Sequence, residues 1–255
     1  MNQFLRIIQL SDTHLFATDC GQVHGVNTHA SLSATIKHLQ NRFTDAIDAI
    51  VITGDISQDE TPASYQRLIN HLTPLATPFY WLPGNHDILE VMTKACPQAV
   101  IQCVEMRQWQ LLMLDSKSSG EVSGRLTDQT LSWLKSRLSE TESKNTIIAM
   151  HHHPYKTGSK WMNHLGLQNA FQFQEIISDY SNIKAVIHGH IHQQAEVFVG
   201  NIPCFATPST CAQFKANSPD FQIDHSQATG YRILELHNNG RLETSIVRAY
   251  NHYDG

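Results

Sequence analysis

Short apolar runs alternate with helix-spaced hydrophobic positions over the first three quarters of the chain. The runs predict buried strands because each is only a few residues long and is bounded by turn residues; they lie at 4–10, 49–52, 79–82, 110–114, 146–150 and 184–188. Leu32, Ile36, Leu39 and Phe43 recur at helical spacing. Further helices are predicted at 62–75, 127–139 and 168–180. This alternation favours parallel strands with helices covering the sheet.

The last quarter of the chain is rich in predicted strands without intervening helices. These strands lie at 195–199, 202–206, 230–236 and 242–248. They suggest a second sheet packed on the first. The segments 158–166 and 215–226 are expected to be surface loops, and no internal repeat or linker is evident. We therefore expect an α/β fold in which residues 1–255 form a single domain.

Polar side chains follow directly after five of the predicted strands. They are Asp12 and His14; Asp55; Asn85, His86 and Asp87; His151, His152 and His153; His190 and His192. One such cluster means little, since Asp, Asn and Gly are ordinary turn residues. Five in succession, all of carboxylate, carboxamide or imidazole type, indicate a common site, because ligands of open α/β sheets bind beyond the carboxyl ends of the strands.

The donor types at the strand ends indicate a metal centre. Mixed oxygen and nitrogen donors favour Zn, Mn or Fe over Ca or a thiolate site. Two divalent ions need a bridging anion, and Asp55 is suited to this because Gly54 lets the backbone come close to the metals. The 16 histidines of the chain raise the expectation of metal chemistry without locating it.

Composition and charge narrow the choice of partners. With 18 Lys and Arg against 23 Asp and Glu, the formal charge is −5, so a basic nucleic-acid face is not expected. Five cysteines without a C-x-x-C pair are interpreted as mostly free thiols in a reducing compartment. No stretch has the length of a membrane span, and the first apolar run lacks signal-peptide features. A cytoplasmic enzyme is expected, with no nucleic-acid or membrane partner; the oligomeric state stays open.

These motifs resemble the calcineurin-like metallophosphoesterase signature, in the same order along the chain. They are Asp12-Thr-His14, Gly54-Asp55 with Asp59, Gly84-Asn85-His86-Asp87, His151-His152-His153 and Gly189-His190-Ile-His192. Further segments are similar to class III bacterial 3′,5′-cyclic AMP phosphodiesterases. Those segments are Ser11-Asp-Thr-His-Leu-Phe16, Gly25-Val-Asn-Thr28, Leu82-Pro-Gly-Asn-His-Asp87 and Ala206-Thr-Pro-Ser-Thr-Cys211.

The resemblance implies a four-layer α/β/β/α sandwich and two divalent metal ions per chain, drawn from Fe, Mn, Zn or Mg. One metal would be held by Asp12, His14, Asp55 and His192. The other would be held by Asp55, Asn85, a histidine of the triple run and His190. A ligand placed directly after the strand selects His151, which we favour, whereas counting back from Pro154 selects His152.

The resemblance also implies a reaction. A metal-bridging hydroxide would attack phosphorus in line, converting 3′,5′-cyclic AMP to 5′-AMP. His86 would donate a proton to the leaving oxygen and Asp87 would orient His86. Substrate contacts are expected from His14, Asp55, Asn85, His86, His151 and His192.

Two alternatives stay open from the residues alone. The metal site fits any accessible phosphate ester, so a phosphodiesterase or phosphomonoesterase of broader specificity is possible. A non-catalytic metal- or nucleotide-binding regulator is the alternative of another class. Of the remaining side chains, Trp161 is a candidate for stacking on a base, and His24, Asn27 and His29 are candidates for the substrate entrance or for a solvated loop.

Overall fold

The computed structural model describes residues 4–43 and 47–250. Its helices are α1 (Thr28–Arg42), α2 (Pro62–Leu72), α3 (Leu89–Ala95), α4 (Asp128–Glu140) and α5 (Ala170–Ser178). Its strands are β1 (Phe4–Leu10), β2 (Gln22–Val23), β3 (Val26–Asn27), β4 (Ala49–Thr53), β5 (Phe79–Leu82), β6 (Cys103–Met106), β7 (Trp109–Met113), β8 (Asn145–Ala149), β9 (Ile183–His188), β10 (Ala195–Val199), β11 (Ile202–Ala206), β12 (Thr229–His237) and β13 (Leu242–Tyr250).

Two mixed sheets carry the fold. The five-stranded sheet has the order β13-β12-β1-β4-β5. Strands β1, β4 and β5 are parallel, and β12 pairs antiparallel with both β1 and β13. The six-stranded sheet has the order β10-β11-β9-β8-β7-β6, with β7, β8, β9 and β11 parallel. Strands β2 and β3 form a small separate hairpin. Each sheet therefore contains a set of parallel strands, and ligands bind at the carboxyl ends of such strands.

Three buried hydrophobic layers hold the sheets and helices together. One lies between the two sheets and includes Ile7, Val51 and Ile147. Alternate residues of the same strands, such as Ile8, point the other way and pack with α1, α2 and α3. A third layer joins the six-stranded sheet to α4 and α5 and includes the fully buried Phe173. The order helix, sheet, sheet, helix confirms the predicted four-layer sandwich.

Helix boundaries follow local capping chemistry. The side chain of Thr61 accepts a hydrogen bond from the amide of Ser64 and Pro62 occupies the first turn of α2. Thr127 caps α4 in the same way. Asn27 caps α1 by accepting from the amide of Ala30, so it begins a helix and is not part of a solvated loop.

The structure differs from the sequence predictions in several places. The strands after residue 195 do not build a sheet of their own, because β10 and β11 extend one sheet while β12 and β13 extend the other. The segment 158–166 contains a 3₁₀ turn, Lys160–His164, whose Met162 is buried against Ile191 and Ala206. Strand β6 and helix α3 were not predicted. That the whole chain forms one domain stays a prediction.

Within the described part of the chain, no helix is long and apolar enough to cross a membrane. The cysteines of these residues are free thiols, as expected.

Candidate metal centre and active site

The polar strand ends predicted from the sequence converge on one buried site. Asp12 follows β1, Asp55 follows β4 and Asn85 follows β5, all in the five-stranded sheet. His151 follows β8, and the segment with His190 and His192 follows β9, in the six-stranded sheet. Because the two sheets pack face to face, these ends meet. Asp12, His14, Asp55, His151, His190 and His192 are all buried.

The backbone at this site is held in an uncommon conformation. Asp12, His14, Asp55, His190 and His192 all have positive φ, between 46° and 68°. Left-handed backbone is unfavourable for residues with a Cβ and persists where the surroundings enforce it. Here hydrogen bonds enforce it: the amide of Asp12 donates to Gly54 O at 3.0 Å, and the amide of His14 donates to Asp55 O at 2.9 Å.

One group of donor atoms comprises Asp12, His14 and His192. Nε2 of His14 lies 3.1 Å from Nε2 of His192, and Nε2 of His192 lies 3.4 Å from Oδ1 of Asp12. The other ring nitrogens are already occupied, since Nδ1 of His14 bonds to Gln58 and Nδ1 of His192 bonds to the carbonyl of Ala212. The free Nε2 atoms therefore face the same point.

A second group surrounds Asp55. Nε2 of His151 lies 3.3 Å from Oδ2 of Asp55, 3.2 Å from Oδ1 of Asn85 and 3.2 Å from Nδ1 of His190. Oδ2 of Asp55 also lies 3.7 Å from Nε2 of His14. Asp55 thus lies between the two groups of donors, where a bridging ligand belongs.

The two neighbouring histidines differ in their free nitrogens. His151 bonds through Nδ1 to the carbonyl of Thr53 at 2.7 Å, which leaves Nε2 facing Asp55. His152 is near His151 and His190, but its Nδ1 contacts Ser116 Oγ at 2.8 Å and its Nε2 contacts Val122 O at 3.1 Å. Both nitrogens of His152 are therefore engaged by the protein.

The donor set fits divalent cations. Four overlapping groups of Asp and His side chains have ligand atoms within 4.8 Å of one another. Nδ1 of His14 faces an oxygen of Gln58 and Nδ1 of His192 faces the carbonyl of Ala212, so in the neutral rings both Nδ1 atoms carry the proton. The two Nε2 atoms, 3.1 Å apart, then face each other with their lone pairs. Nε2 of His190 is buried without a hydrogen-bond partner. Such convergence of bases is expected of metal ligands.

The electrostatics of the site favour a cation. Burial raises the pKa of Asp55, but the facing His151 outweighs it and the pKa lies well below the ordinary value. Burial lowers the pKa of His151, while Asp55 more than compensates and raises it to about 9. For His14 burial wins, and its pKa falls to about 4 despite Asp55. The buried carboxylates therefore keep their charge, and the field that favours a proton on His151 also attracts a metal ion.

His86 lies beside the metal-type donors without belonging to the most buried set. Its ring contacts the ring of His14 edge-on at 5.1 Å, and its amide donates to Oδ1 of Asp55 at 2.9 Å. The side chain is half-buried and lines the open pocket. It can therefore reach a ligand held at the donor cluster.

Asp87 contacts the backbone of the site rather than the ring of His86. Its carboxylate accepts hydrogen bonds from the amides of Gly84 at 2.9 Å, Ile56 at 3.0 Å and Ser57 at 3.0 Å. None of the hydrogen bonds seen among residues 4–43 and 47–250 joins this carboxylate to His86. Burial, together with the charge of Asp55, raises the pKa of Asp87 to about 6. Through these hydrogen bonds, the Asp87 carboxylate connects the segment that contains Asn85 to the segment that contains Asp55.

An open pocket of about 540 Å³ leads to these donors. Its polar wall holds His14, Asp55, Asn85, His86, His190 and His192; its largely apolar, aromatic wall holds Phe16, Val23, Trp161, Met162, Leu165 and Phe214. Of the candidate entrance residues, His24 lines this pocket, whereas His29 contacts His71 outside it. The size and mixed lining are typical of small-molecule sites.

Two residues of the site, Phe214 and Gln58, were not predicted from the sequence, whereas Ser209 was a candidate for a hydrogen bond to substrate or for a turn. Phe214 stacks on His192 with ring centres 4.0 Å apart and planes within 3°. Gln58 bonds to His14, and Ser209 donates to the carbonyl of Asp12 at 2.8 Å. Gln58 and Ser209 lie near recognisable motifs, but Phe214 comes from a polar segment in which no pattern marked it.

Comparisons with known proteins agree with this geometry. The family model described as calcineurin-like phosphoesterase matches residues 5–194. The chain belongs to the calcineurin-like phosphoesterase family. The match covers every predicted metal-type residue, and calcineurin-like phosphoesterases use two divalent metal ions, which the Asp and His clusters could hold.

Several similar relatives are bacterial proteins that share one name. A protein of Vibrio vulnificus named 3′,5′-cyclic adenosine monophosphate phosphodiesterase CpdA is 40% identical over 96% of this chain and 90% of its own length. Proteins of the same name from Escherichia coli and Pseudomonas aeruginosa are 36% and 38% identical, over 96% and 95% of this chain and 90% and 89% of their own lengths.

Solved structures share the fold at low sequence identity. A dimetal phosphatase from Danio rerio superimposes with a TM-score of 0.67 and 12% identity, covering 97% of this chain and 100% of its own. GAP50 of Plasmodium gives a TM-score of 0.68 and 16% identity, covering 97% and 85%.

Proposed function

We propose that this protein is a metal-dependent phosphodiesterase that hydrolyses 3′,5′-cyclic AMP to 5′-AMP. The observation that carries the proposal is the position of Asp55 between two groups of nitrogen and oxygen donors at the base of an open pocket. Relatives named for this activity match almost the whole chain.

The contacts support one assignment of ligands to two metal ions. Asp12, His14, Asp55 and His192 would hold one ion, because the free Nε2 atoms of both histidines converge there. Asp55, Asn85, His151 and His190 would hold the other. His151 is preferred over His152 because both ring nitrogens of His152 already bond to the protein, through Ser116 and Val122. Nε2 of His151 instead faces Asp55. The donor set accommodates Fe, Mn, Zn or Mg.

Bound divalent ions at such a site lower the pKa of water and neutralise charge on the phosphate. The chain's own residues supply the rest. His86 lies beside His14 at the pocket surface, where its imidazole can donate a proton to the departing ribose 3′-oxygen. Asp87 acts from a distance by fixing the segment that carries Asn85 and His86.

The pocket walls would position the nucleotide. The phosphate would contact His14, Asp55, Asn85, His86, His151 and His192, close to the polar wall. The base would lie against the aromatic wall, where Trp161 and Phe214 contact each other edge-on at 5.6 Å. An apolar and aromatic surface in the same pocket as a metal site suits a nucleotide better than a bare phosphate.

The same features bear on partners and location. A pocket of small-molecule size and a formal charge of −5 support a small substrate and no nucleic-acid or membrane partner. The free thiols of the described residues support a reducing compartment such as the cytoplasm.

The test begins with protein stripped of metal by a chelator. Fe, Mn, Zn or Mg is added back separately, and loss of cyclic AMP and appearance of 5′-AMP are followed. Activity with at least one metal supports the proposal, and no activity with any metal would favour a metal- or nucleotide-binding regulator. Parallel assays with cyclic GMP, a glycerophosphodiester and a phosphomonoester identify a broader specificity if their kcat/KM values equal that for cyclic AMP.

A further inference from the structure

A second pocket of about 400 Å³ shares His192 and Phe214 with the active-site pocket. Its other walls come from the segment after β9, from residues 213–227 and from the β12–β13 hairpin, which contributes Arg232 and Arg248. None of the residues assigned to catalysis above, apart from His192, lines it. Two arginines in one pocket need an explanation, because cationic groups are expensive to bury without partners.

Arg232 is buried without a carboxylate partner. Only 3% of its surface is exposed. Nη1 donates to Oγ1 of Thr244 at 2.9 Å and Nη2 donates to the carbonyl of Ala206 at 2.7 Å, while Nε has no hydrogen-bond partner. The guanidinium lies 4.9 Å above the ring of Phe205. Burial lowers the pKa of Arg232 to about 10, so the group stays cationic at neutral pH.

The other polar groups of the pocket repeat this pattern. Nη1 of Arg248 donates to Oε1 of Gln213 at 3.1 Å and to the carbonyl of Ala228 at 2.7 Å, both neutral acceptors. Nε2 of Gln193 is buried without an acceptor. Within the described residues neither arginine forms a salt bridge. The unsatisfied side-chain groups of Arg232 and Gln193 are therefore both donors, and a donor-rich pocket is complementary to an anion.

Two carboxylates at the pocket limit the charge that it can accept. Glu196 is exposed, and Asp224 accepts hydrogen bonds from the amide and hydroxyl of Ser226. Both lie beyond salt-bridge distance of the arginines, although Glu196 acts on Arg232 and Asp224 acts on Arg248 electrostatically. They offset part of the positive charge, which favours one compact anion over a polyanion.

We infer that this pocket is a binding site for a phosphoryl group, separate from the hydrolytic centre and held by Arg232 and Arg248. Guanidinium groups present planar forked donors that match phosphate oxygens, and buried donors bind them most strongly. The group can be free inorganic phosphate or the 5′-phosphate of a nucleoside monophosphate, since 400 Å³ accommodates either. The inference does not depend on the proposed cyclic AMP activity.

Calorimetric titration of the metal-loaded protein with inorganic phosphate tests the inference. Because the metal centre also binds phosphate, two classes of site are expected in the unmodified protein. Arg248→Gln should weaken one class by about tenfold or more and leave the other unchanged, since hydrogen bonds to charged groups are the strong ones. Glu196→Gln should tighten the same class. The control Arg241→Gln removes an equal charge from the exposed end of the same hairpin and should change neither class.

A second measurement locates the anion directly. Crystals of the unmodified protein soaked in selenate should show an anomalous peak within hydrogen-bond distance of Arg232 and Arg248. A peak at the metal centre alone, or an Arg248→Gln variant that keeps both classes of site, would overturn the inference. Titration with 5′-AMP identifies the source: much tighter binding than phosphate at this class indicates a nucleotide, and equal binding indicates the phosphoryl group alone.

Discussion

Gly54 touches the ring of His151: a Cβ added to Gly54 would lie 2.5 Å from Nδ1 of His151 and 2.7 Å from the amide nitrogen of Gly84. Gly54 also has a φ of +90°, which side-chain-bearing residues rarely adopt. The glycine before Asp55 thus brings the loops of both sheets together, and this contact sets the separation of Asp55 from His151.

Gly54→Ala should therefore disrupt the metal centre. The added methyl group must displace His151 or the backbone of Gly84, so we expect metal content to fall and kcat to drop by at least about a hundredfold, as ~1 Å displacements do. Gly120→Ala is the matched control, because Gly120 also has positive φ but open space around it. Metal analysis and turnover of both variants are the measurements. Equal losses in the two would show that backbone strain alone, and not contact with His151, causes the defect.

The metal-type residues were predictable because each follows a strand, and parallel strands bring their carboxyl ends together. Contacts made by the last third of the chain were not. Phe214 stacks on His192 because the segment after β11 folds back there, and the amide of Phe214 donates to the carbonyl of His192. Arg232 lines a pocket because β12 returns to pair with β1, with β13 paired to its other edge. No local pattern reports that return.

The missed elements lack local signals. Strand β6 pairs with one neighbour only, at the edge of its sheet, and a single one of its four residues is buried, so hydrophobic alternation is weak. Helix α3 has seven residues and no side-chain cap at Ile88. Its position is instead set by Ile88, whose amide donates to the hydroxyl of Tyr65 in α2. The formation of both β6 and α3 therefore depends on tertiary contacts rather than on local sequence.

His86→Ala should keep both metal ions but lose most turnover. His86 lines the pocket beside His14, and the proposed ligand set does not include it. Loss of a general acid lowers kcat by roughly 10²–10⁴-fold. Metal content by elemental analysis and kcat with cyclic AMP are measured together, with His38→Ala, remote from the pocket, as the control. Full activity in the His86 variant would contradict its assignment as proton donor.

Asp87→Ala should act through the backbone. The carboxylate accepts from three buried amides, of Gly84, Ile56 and Ser57, and each unsatisfied amide costs about 1–3 kcal/mol. We expect lower stability in urea, weaker metal binding and reduced kcat, with a milder loss in Asp87→Asn, which keeps one acceptor. If Asp87 served only to orient His86, its variants would keep full metal affinity and lose nothing further in a His86→Ala background. Metal titration of the single and double variants separates the two roles.

Trp161→Ala should weaken binding of the nucleotide base. The indole belongs to the aromatic wall of the pocket that holds the metal-type donors. Stacking of a base on an aromatic ring contributes ~1–3 kcal/mol, so KM for cyclic AMP should rise about tenfold or more while kcat changes little. For a small alkyl phosphodiester without a base, KM should stay unchanged. An equal increase for both substrates would mean that Trp161 shapes the pocket without contacting the base.

The pair formed by His71 and His29 should make folding sensitive to mild acid. Nε2 of His71 lies 3.2 Å from Nδ1 of His29, and burial, with His29 and Arg67 nearby, lowers the pKa of His71 to about 4. The folded chain keeps His71 neutral where the unfolded chain, with an ordinary pKa near 6.5, binds a proton. Its contribution to the free energy of unfolding is therefore complete above pH 6.5 and declines as the pH falls towards 4. Because the side chain is partly exposed, we expect a decline of only about 1 kcal/mol.

His71→Gln should flatten the pH dependence of the urea midpoint between pH 6.5 and pH 4. A slope equal to that of the unmodified protein would contradict the inference that His71 stays neutral in the folded chain.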